Sequence, residues 1–280
     1  MTLGPMCLSL LQAFTSRREY PKRVLAEAGA GARKWLSPLA AAHQNATWDR
    51  SVSSKGLYSA VSNRIIGDFV SLGVGVRKGE QTRQEIIRKA APIFNQKGYD
   101  GAALSDLMRA TGLEKGGIYR HFGSKQELAG DAFDYAWNLA MDRRFEGTEQ
   151  IPNTVDRLKQ IVRNFRDRRT GVPGGCPLLN TAVDSDDGNP KLRAKARLAL
   201  SSWLDRMESI AEEGKRRGEV RSDVDSGKLA TLIASTLEGS HMMSRLQKKE
   251  EPRDLAVRHL EEYLETKVRA RKSKAGVNRS

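Results

Sequence analysis

The stretch from Gly98 to Leu128 constrains the fold of this chain more than any other part of it. Within it, 104–110 and 114–121 each have the length and apolar spacing of a short helix. Gly112 lies between them, and glycine adopts the positive φ of a tight turn at little cost, so we predict a sharp reversal there. The residues expected to hold the two helices together are Leu107, Leu113 and Ile118.

Capping patterns mark the helices on either side of this stretch. A Ser or Thr followed three residues later by Glu satisfies free backbone N–H groups at a helix start. Thr82 with Glu85 has this pattern, and so does Ser124 with Glu127. The helices predicted from these two capping boxes cover 82–97 and about 124–145.

Further helical patterns follow to near the end of the chain. Asn153 and the pair Asn189-Pro190 are good helix starts, because asparagine caps free N–H groups and proline fits the first turn. No segment after residue 82 alternates convincingly with the period of two that a half-buried strand shows. We therefore predict an all-α fold, with further helices over about 153–169, 190–217, 226–246 and 252–268.

The charge balance favours a polyanionic partner. Lys and Arg number 48 against 34 Asp and Glu, which gives a formal net charge of +14 at pH 7. Such a surplus favours nucleic acid over a membrane surface. Because no apolar run approaches the roughly 20 residues that cross a bilayer, we expect no membrane partner.

Cysteine and histidine usage argues against a metal site, a disulfide framework and an enzyme. The chain has two cysteines, Cys7 and Cys176, and four histidines. The cysteines are far apart and form no CxxC motif, so we expect no disulfide, no zinc, no cofactor and a reducing cytoplasm. A nucleophile–base pair of Cys176 and His241 would lack an orienting third group, so we do not expect an enzyme.

The helix predicted over 114–121 has the features of a helix that enters a DNA groove. Its two glycines allow close backbone approach, and basic and aromatic side chains accompany them. With its surroundings, this helix resembles the TetR family of bacterial one-component regulators. The resemblance is carried by Gly98-Tyr99, Gly112-Leu113, Lys115-Gly116, Tyr119-Arg120-His121-Phe122 and Ser124-Lys125.

The resemblance implies an N-terminal three-helix DNA-binding domain in which 114–121 is the recognition helix. It implies phosphate contacts from Tyr119, His121 and Lys125, and base-facing positions at Lys115 and Gly117. The full set of predicted DNA-binding residues is Lys115, Gly116, Gly117, Tyr119, Arg120, His121 and Lys125.

Two positions depart from the family pattern, and three residues have a second interpretation. Ala103 and Glu114 stand where Ser or Thr often caps the two helices, so the operator sequence does not follow from the resemblance. Tyr119 and His121 could instead pack the three helices against one another. For Phe122, core packing is the favoured interpretation.

The resemblance also implies a helical C-terminal domain that binds an effector and forms a homodimer. Dimerisation is expected through the helices over 226–246 and 252–268, where Gly239 and Ser240 permit close packing. The expected function is a repressor that binds a palindromic double-stranded DNA operator and is released by a small molecule. The residues predicted to line the effector pocket are Phe133, Trp137, Met141, Phe165, Trp203, Met207, His241 and Met242.

Two alternatives to an ordinary effector-released repressor stay open at this point. Glycines beside Cys176 would expose its thiol, and a following helix start would lower its pKa, which predicts a sensor of electrophiles or oxidants. The competing interpretation is that Cys176 is a small buried apolar residue. The second alternative is a basic protein that binds nucleic acid without sequence preference.

These observations divide the chain into four parts. Residues 1–75 lack a sustained helical period and are predicted to be poorly ordered or a non-native extension. The DNA-binding domain is expected over 76–123 and the effector-binding and dimerisation domain over 124–268. Residues 269–280 are rich in Lys and Arg and are predicted to form a basic tail.

Overall fold

A computed structural model describes residues 78–168 and 170–271, and the regular elements within these ranges are helices. The predictions for 1–75 lie outside the described residues. The all-α prediction is confirmed. The helices are α1 Lys78–Gly101, α2 Leu104–Thr111, α3 Lys115–Tyr119, α4 Lys125–Phe145, α5 Thr154–Asp167, α6 Pro177–Asp184, α7 Pro190–Arg216, α8 Ser226–Gln247 and α9 Glu251–Tyr263, and a π-helical turn Leu264–Val268 follows α9.

Most predicted caps are present. Ser124 Oγ accepts a hydrogen bond from the Glu127 backbone N–H at 3.1 Å, and the side chains of Asn153 and Asn189 cap α5 and α7. The predicted capping box at Thr82 is wrong. Helix α1 begins one turn earlier, at Lys78, so Thr82 lies inside it and donates its hydroxyl to the Lys78 carbonyl at 2.9 Å.

Helices α1–α3 form a small unit that we call the head. Its core contains Ile86 and Ile87 of α1, Leu107 of α2 and Ile118 of α3, and each of these residues is at most 2% exposed. Gly112 has φ 72° and turns the chain between α2 and α3, as predicted. The predicted partner Leu113 packs against this core.

Helices α4–α9 form a larger unit that we call the body. Its core includes Leu158, Trp203, Ile233 and Leu260, which come from α5, α7, α8 and α9. Helix α4 belongs to both cores, because some of its residues pack in the head and others in the body. A displacement of α4 would therefore disturb both units.

The head and the body also meet between α1 and α6. Asn180 Nδ2 donates to the carbonyl oxygen of Asn95 at 2.9 Å and to its side-chain Oδ1 at 3.0 Å. Asp184 Oδ2 accepts from the Tyr99 backbone N–H at 2.8 Å. Gly98 has φ 73°, and a Cβ there would lie 2.3 Å from Asp184 Oδ1, so only glycine fits beside this carboxylate. We call these five residues the α1–α6 contact.

The start predicted for the basic tail, residue 269, is too early in the chain. Arg269 donates its backbone N–H to Leu264 at 2.9 Å and a guanidinium N–H to Asn153 Oδ1 at 3.0 Å. Ala270 donates its backbone N–H to the Glu219 carbonyl at 2.8 Å. These bonds attach the first two residues of the predicted tail to the body, and residues 272–280 lie outside the described part of the chain.

Candidate functional site

One face of α3 is open to solvent although the other face is packed. Ile118 is 1% exposed in the head core, whereas Lys115 and Arg120 are exposed. A Cβ added at Gly116 would meet nothing within 4 Å, so the backbone at this position is accessible from outside. Tyr119, the last residue of α3, is half-buried.

Three other predicted DNA-binding residues, Gly117, His121 and Lys125, are partly buried. A Cβ at Gly117 would lie 3.3 Å from Leu113 Cβ, so the missing side chain of Gly117 points into the head rather than away from it. Lys125 Nζ lies 4.5 Å from the Tyr99 ring centroid, in a cation–π contact at the start of α4. His121 is half-buried. Base contact by Gly117 and phosphate contact by Lys125 and His121 remain predictions.

The packing interpretation of Phe122 is confirmed. Its ring is 1% exposed in the head core, and the Arg83 guanidinium lies 4.7 Å from the ring centroid. The two departures from the family pattern have a structural consequence, because Ala103 and Glu114 cap α2 and α3 without a side-chain hydrogen bond. Backbone groups at both helix starts are thus left open to other partners.

The predicted pocket residues come together in the body, with one exception. Phe133, Trp137, Phe165, Trp203 and Met207 are all buried in its core, and Met141 packs against them. His241 meets the Phe165 ring edge-on, with centroids 5.9 Å apart. The placement of Met242 in the pocket is wrong, because Met242 is 47% exposed on the outer face of α8.

Sequence reasoning missed the residue at the centre of this cluster. Arg144 has only 5% of its side chain exposed and pairs with Glu238, with Arg144 Nη2 3.1 Å from Glu238 Oε1. Its guanidinium carbon lies 4.6 Å from the ring centroids of Phe165 and Trp203 and 5.2 Å from that of Trp137. A buried cation surrounded by aromatic faces and paired with one carboxylate is a costly arrangement that marks a candidate site.

Cys176 completes the cluster and is buried, as the competing interpretation held, rather than exposed. It is 1% exposed, accepts from Arg144 Nη2 at 3.3 Å and donates to Glu238 Oε1 at 3.0 Å. Burial, and then the charge of Glu238, raise the pKa of the Cys176 thiol to about 12. The helix start of α6 therefore does not activate this thiol, and the prediction of an accessible thiol with a lowered pKa is wrong.

Several polar atoms in this region are buried without a hydrogen-bond partner among the described residues. They are Trp203 Nε1, Glu238 Oε2, His241 Nε2 and Arg253 Nε. Burial, and then the nearby charges of Arg253, Arg245 and Arg144, lower the pKa of His241 to about 4. We call the set of Arg144, Glu238, Cys176, Trp137, Phe165, Trp203 and His241 the Arg144 centre.

No signal in the sequence distinguished Arg144 or Glu238. Arg143-Arg144 ends a long helix, where basic residues ordinarily interact with free carbonyl groups. Glu238 lies 94 positions further on, in a helix whose other features suggested an interface. The contact between them depends on how α4 and α8 pack, which no local pattern encodes.

A cavity of about 30 Å³ lies where α1, α4, α6 and α7 meet, and Phe133 is the one predicted pocket residue in its wall. This volume holds about one water molecule and no organic ligand. Among the residues that the structure describes, no cluster of His, Cys, Asp or Glu is arranged to hold a metal ion. In the same part of the chain, no helix is both long and apolar enough to span a membrane.

Two protein-family models match the chain. The model described as "Bacterial regulatory proteins, tetR family" matches residues 86–132, which cover most of the head and the start of α4. The model described as "Tetracyclin repressor-like, C-terminal domain" matches residues 154–260, within the body.

Solved structures and curated relatives agree with these matches. A TetR transcriptional regulator from Chloroflexus aurantiacus is 43% identical, with a TM-score of 0.67, and covers 70% of this chain and 100% of its own. A TetR-family regulator from Cytophaga hutchinsonii is 33% identical, with a TM-score of 0.66, and covers 71% of this chain and 100% of its own. The HTH-type transcriptional repressor DhaR of Mycobacterium sp. is 24% identical over 61% of this chain and 86% of its own length.

Proposed function

Because the chain belongs to the TetR family of helix-turn-helix transcriptional regulators, we propose that it is a repressor that binds a palindromic operator as a homodimer. We also propose that a small molecule bound in the body releases it from DNA. The single observation that carries the DNA-binding part is the open face of α3.

The open face of α3 offers groups that recognise DNA and have no part in the core. Lys115 and Arg120 supply positive charge, and the accessible backbone at Gly116 permits close approach to a groove. The charges are exposed, so contact with phosphates would not require the head to unfold. Glu114 stands at the start of the same helix and is suited to accept from a cytosine amino group.

The dimer is proposed to form through a stripe of exposed apolar residues on α8. Leu232 is 39% exposed, Met242 is 47%, Met243 is 46% and Leu246 is 78%. Gly239 lies within this stripe and has open space at its Cβ position, which suits the close approach of a second copy. Helix α9 adds one further exposed apolar residue, Leu255, which is 52% exposed.

A matched pair of variants tests the dimer. Leu246→Glu adds a charge to the stripe, whereas Val183→Glu adds the same charge at a 74% exposed apolar residue of α6, outside the stripe. Light scattering after size exclusion should show that the Leu246 variant is monomeric and the Val183 variant dimeric. Equal behaviour of the two variants would reject this interface.

Release from DNA is proposed to pass through α6. Cys176 caps the start of this helix and belongs to the Arg144 centre, and Asn180 and Asp184 further along it belong to the α1–α6 contact. A ligand that favours a different arrangement of the centre would move α6 and with it α1. The effector must bind the two arrangements with different affinity, because otherwise no population shifts.

A gel shift tests the function directly. Purified protein is mixed with DNA from upstream of its own gene and with an excess of nonspecific competitor. We expect a discrete complex that survives the competitor and is weakened in Tyr119→Ala. Arg197→Ala, which removes an exposed charge from α7, serves as the control and should bind like the wild type.

The alternative of nonspecific nucleic-acid binding has its own outcome in this experiment. A smear that the competitor removes, with binding weakened in the Arg197 variant and unchanged in the Tyr119 variant, would favour general electrostatic attraction. The same result on a pool of genomic fragments would overturn the repressor proposal.

A further inference from the structure

Two of the four unpaired polar atoms near the Arg144 centre can only donate a hydrogen bond, and one, the carboxylate oxygen Glu238 Oε2, accepts. Trp203 is 1% exposed, and its indole N–H, which can only donate, has no partner. Arg253 Nε is likewise a donor without a partner, and His241 Nε2 can donate in one tautomer. A buried donor without an acceptor is costly, so these groups favour a ligand rich in acceptor oxygens.

Positive charge also exceeds negative charge around the centre, although one of the arginines, Arg253, pairs with Glu250. Arg144, Arg245 and Arg253 all lie close enough to His241 to lower its pKa. Glu238 is the carboxylate that contacts Arg144, and it uses one oxygen, Oε1, to accept from the guanidinium. Arg144 Nη1 has the Met141 sulfur as its partner, at 4.0 Å. The guanidinium therefore has capacity for a second oxygen.

The rings around Arg144 would receive an apolar ligand body. The Phe165 and Trp203 rings are stacked, with centroids 6.2 Å apart, and Trp137 meets Trp203 edge-on at 6.1 Å. These rings already surround a planar charged group, and none of the three lines the cavity of about 30 Å³ described above. A ligand must therefore take the place of a group that is now in the centre.

We propose that the Arg144 centre binds the carboxylate of a small organic acid, which replaces the Glu238 carboxylate beside the Arg144 guanidinium. Arginine and carboxylate pair through parallel N–H···O bonds, and the Trp203 indole N–H supplies a further donor. This inference rests on the proposed effector-released function and identifies the class of effector. An organic cation is the opposite choice, because it would have to replace Arg144 and pair with Glu238.

The exchange has a route to the head. The Cys176 thiol donates to the same Glu238 oxygen that Arg144 contacts, so departure of Glu238 removes a hydrogen bond at the cap of α6. Helix α6 then loses part of what fixes its start, while its far end contacts Asn95 and Tyr99 of α1. Carboxylate binding would thus change the α1–α6 contact.

Direct binding measurements on the full chain, without DNA, test the ligand class. The probes are hexanoate, benzoate and 3-phenylpropanoate, each compared with its neutral amide and with an amine of similar size, by calorimetry and by quenching of tryptophan fluorescence. We expect at least one carboxylate to bind about tenfold or more tightly than its amide, because it gains charge-assisted hydrogen bonds, and the amines to bind most weakly. If no carboxylate binds more tightly than its amide, the proposal is overturned.

The variant Glu238→Gln separates the two ligand classes. It removes the charge of the Glu238 carboxylate, which competes with the ligand for Arg144, but keeps the shape of the side chain. The affinity for carboxylates should therefore rise by about tenfold. A site for an organic cation would instead lose its counter-ion, and amine binding would disappear. Weaker carboxylate binding in a folded Glu238→Gln protein would contradict the proposed exchange.

Two tryptophan variants test the donor. Trp203→Phe removes the unpaired N–H and keeps a ring, so carboxylate binding should weaken by about three- to tenfold. Trp137→Phe makes the same change in a ring of the centre whose N–H is not among the unpaired atoms, so any loss of affinity there reports ring packing alone and should be smaller than the loss in Trp203→Phe. Equal loss in both would attribute the effect to packing and overturn the role of the Trp203 donor.

The outcomes for the ligand and for the function are distinguishable. Carboxylate binding by a protein that forms no specific DNA complex would support the site and reject the repressor. A specific DNA complex in a protein that binds none of the carboxylates would support the repressor and reject the ligand class.

Discussion

The head and the body place their charged groups in opposite ways. The head buries apolar side chains and exposes Lys115 on α3 and Arg120 directly after it, where a charge costs little. The body buries Arg144 and Glu238 among aromatic rings, where each charge depends on the other. The comparison shows that the head presents its charge on a surface, whereas the body contains a buried charged pair, which is the arrangement that we propose a ligand alters.

The reactivity of Cys176 gives the strongest test of whether the Arg144 centre is closed to solvent. A Cys7→Ser variant leaves Cys176 as the sole thiol, and its pKa of about 12 predicts a reaction with a disulfide reagent about a thousandfold slower than that of an ordinary exposed thiol. The rate is followed by absorbance at neutral pH, with urea-unfolded protein as the reference. Reaction of the native protein at the unfolded rate would show that the centre is open and would restore the sensor hypothesis.

The next largest effect concerns Arg144 itself. Arg144→Met leaves Glu238 buried without its cation, so we expect a loss of about 3–5 kcal/mol in the free energy of unfolding measured by urea denaturation. The double variant with Glu238→Gln should recover a large part of that loss, because the uncompensated charge is gone. A loss below about 1 kcal/mol in the single variant would mean that the pair is effectively solvated.

Two glycines with nearly equal φ compare an exposed turn within the head with the contact between the head and the body. Gly98→Ala and Gly112→Ala place a side chain at φ 73° and 72°, but only at Gly98 would the new Cβ collide with Asp184. We expect losses of about 2–4 kcal/mol for Gly98→Ala and about 1–2 kcal/mol for Gly112→Ala in urea denaturation. Equal losses would mean that Asp184 moves away from the new Cβ at Gly98 without any further loss in the free energy of unfolding.

The pH dependence of stability tests the environment of His241. Its pKa is lowered from an ordinary 6.5 to about 4, so between these values the unfolded chain binds a proton that the folded chain does not. The contribution of His241 to the free energy of unfolding is therefore fully present above about pH 6.5. It falls by about 1–2 kcal/mol toward pH 4, after allowance for partial exposure. His241→Gln should lose this contribution, and an unchanged pH profile in that variant would contradict it.

The smallest effect on stability is expected on the open face of the head. Lys115→Ala should change the free energy of unfolding by less than about 0.5 kcal/mol, because the side chain is exposed and no described group depends on it. If Lys115 contacts a phosphate, Lys115→Ala should reduce the slope of log binding constant against log salt concentration by about one. If Lys115 contacts a base, the variant should weaken binding to some DNA sequences only. A large loss of stability would show that Lys115 is part of the fold.

The same contrast explains what could be predicted from the sequence. The turn at Gly112, the cap at Ser124 and the surface of α3 arise within short segments, so local patterns located them. The pairing of Arg144 with Glu238 depends on the packing of helices far apart in the chain, so no local pattern predicted it. Thr82 shows the limit of local patterns, because a helix that starts one turn earlier turns a cap residue into an interior one.

Selection from a pool of random double-stranded DNA tests the central claim most directly, because it requires no knowledge of the regulated genes. A dimer with two exposed α3 helices should enrich a two-fold symmetric sequence whose half-sites are centred about one helical turn, or a multiple of it, apart. The Tyr119→Ala variant should enrich this sequence less, and the Leu246→Glu variant should lose the symmetry. Absence of any enriched sequence with the folded wild-type protein would contradict the assignment of the open face of α3 as the DNA-binding surface.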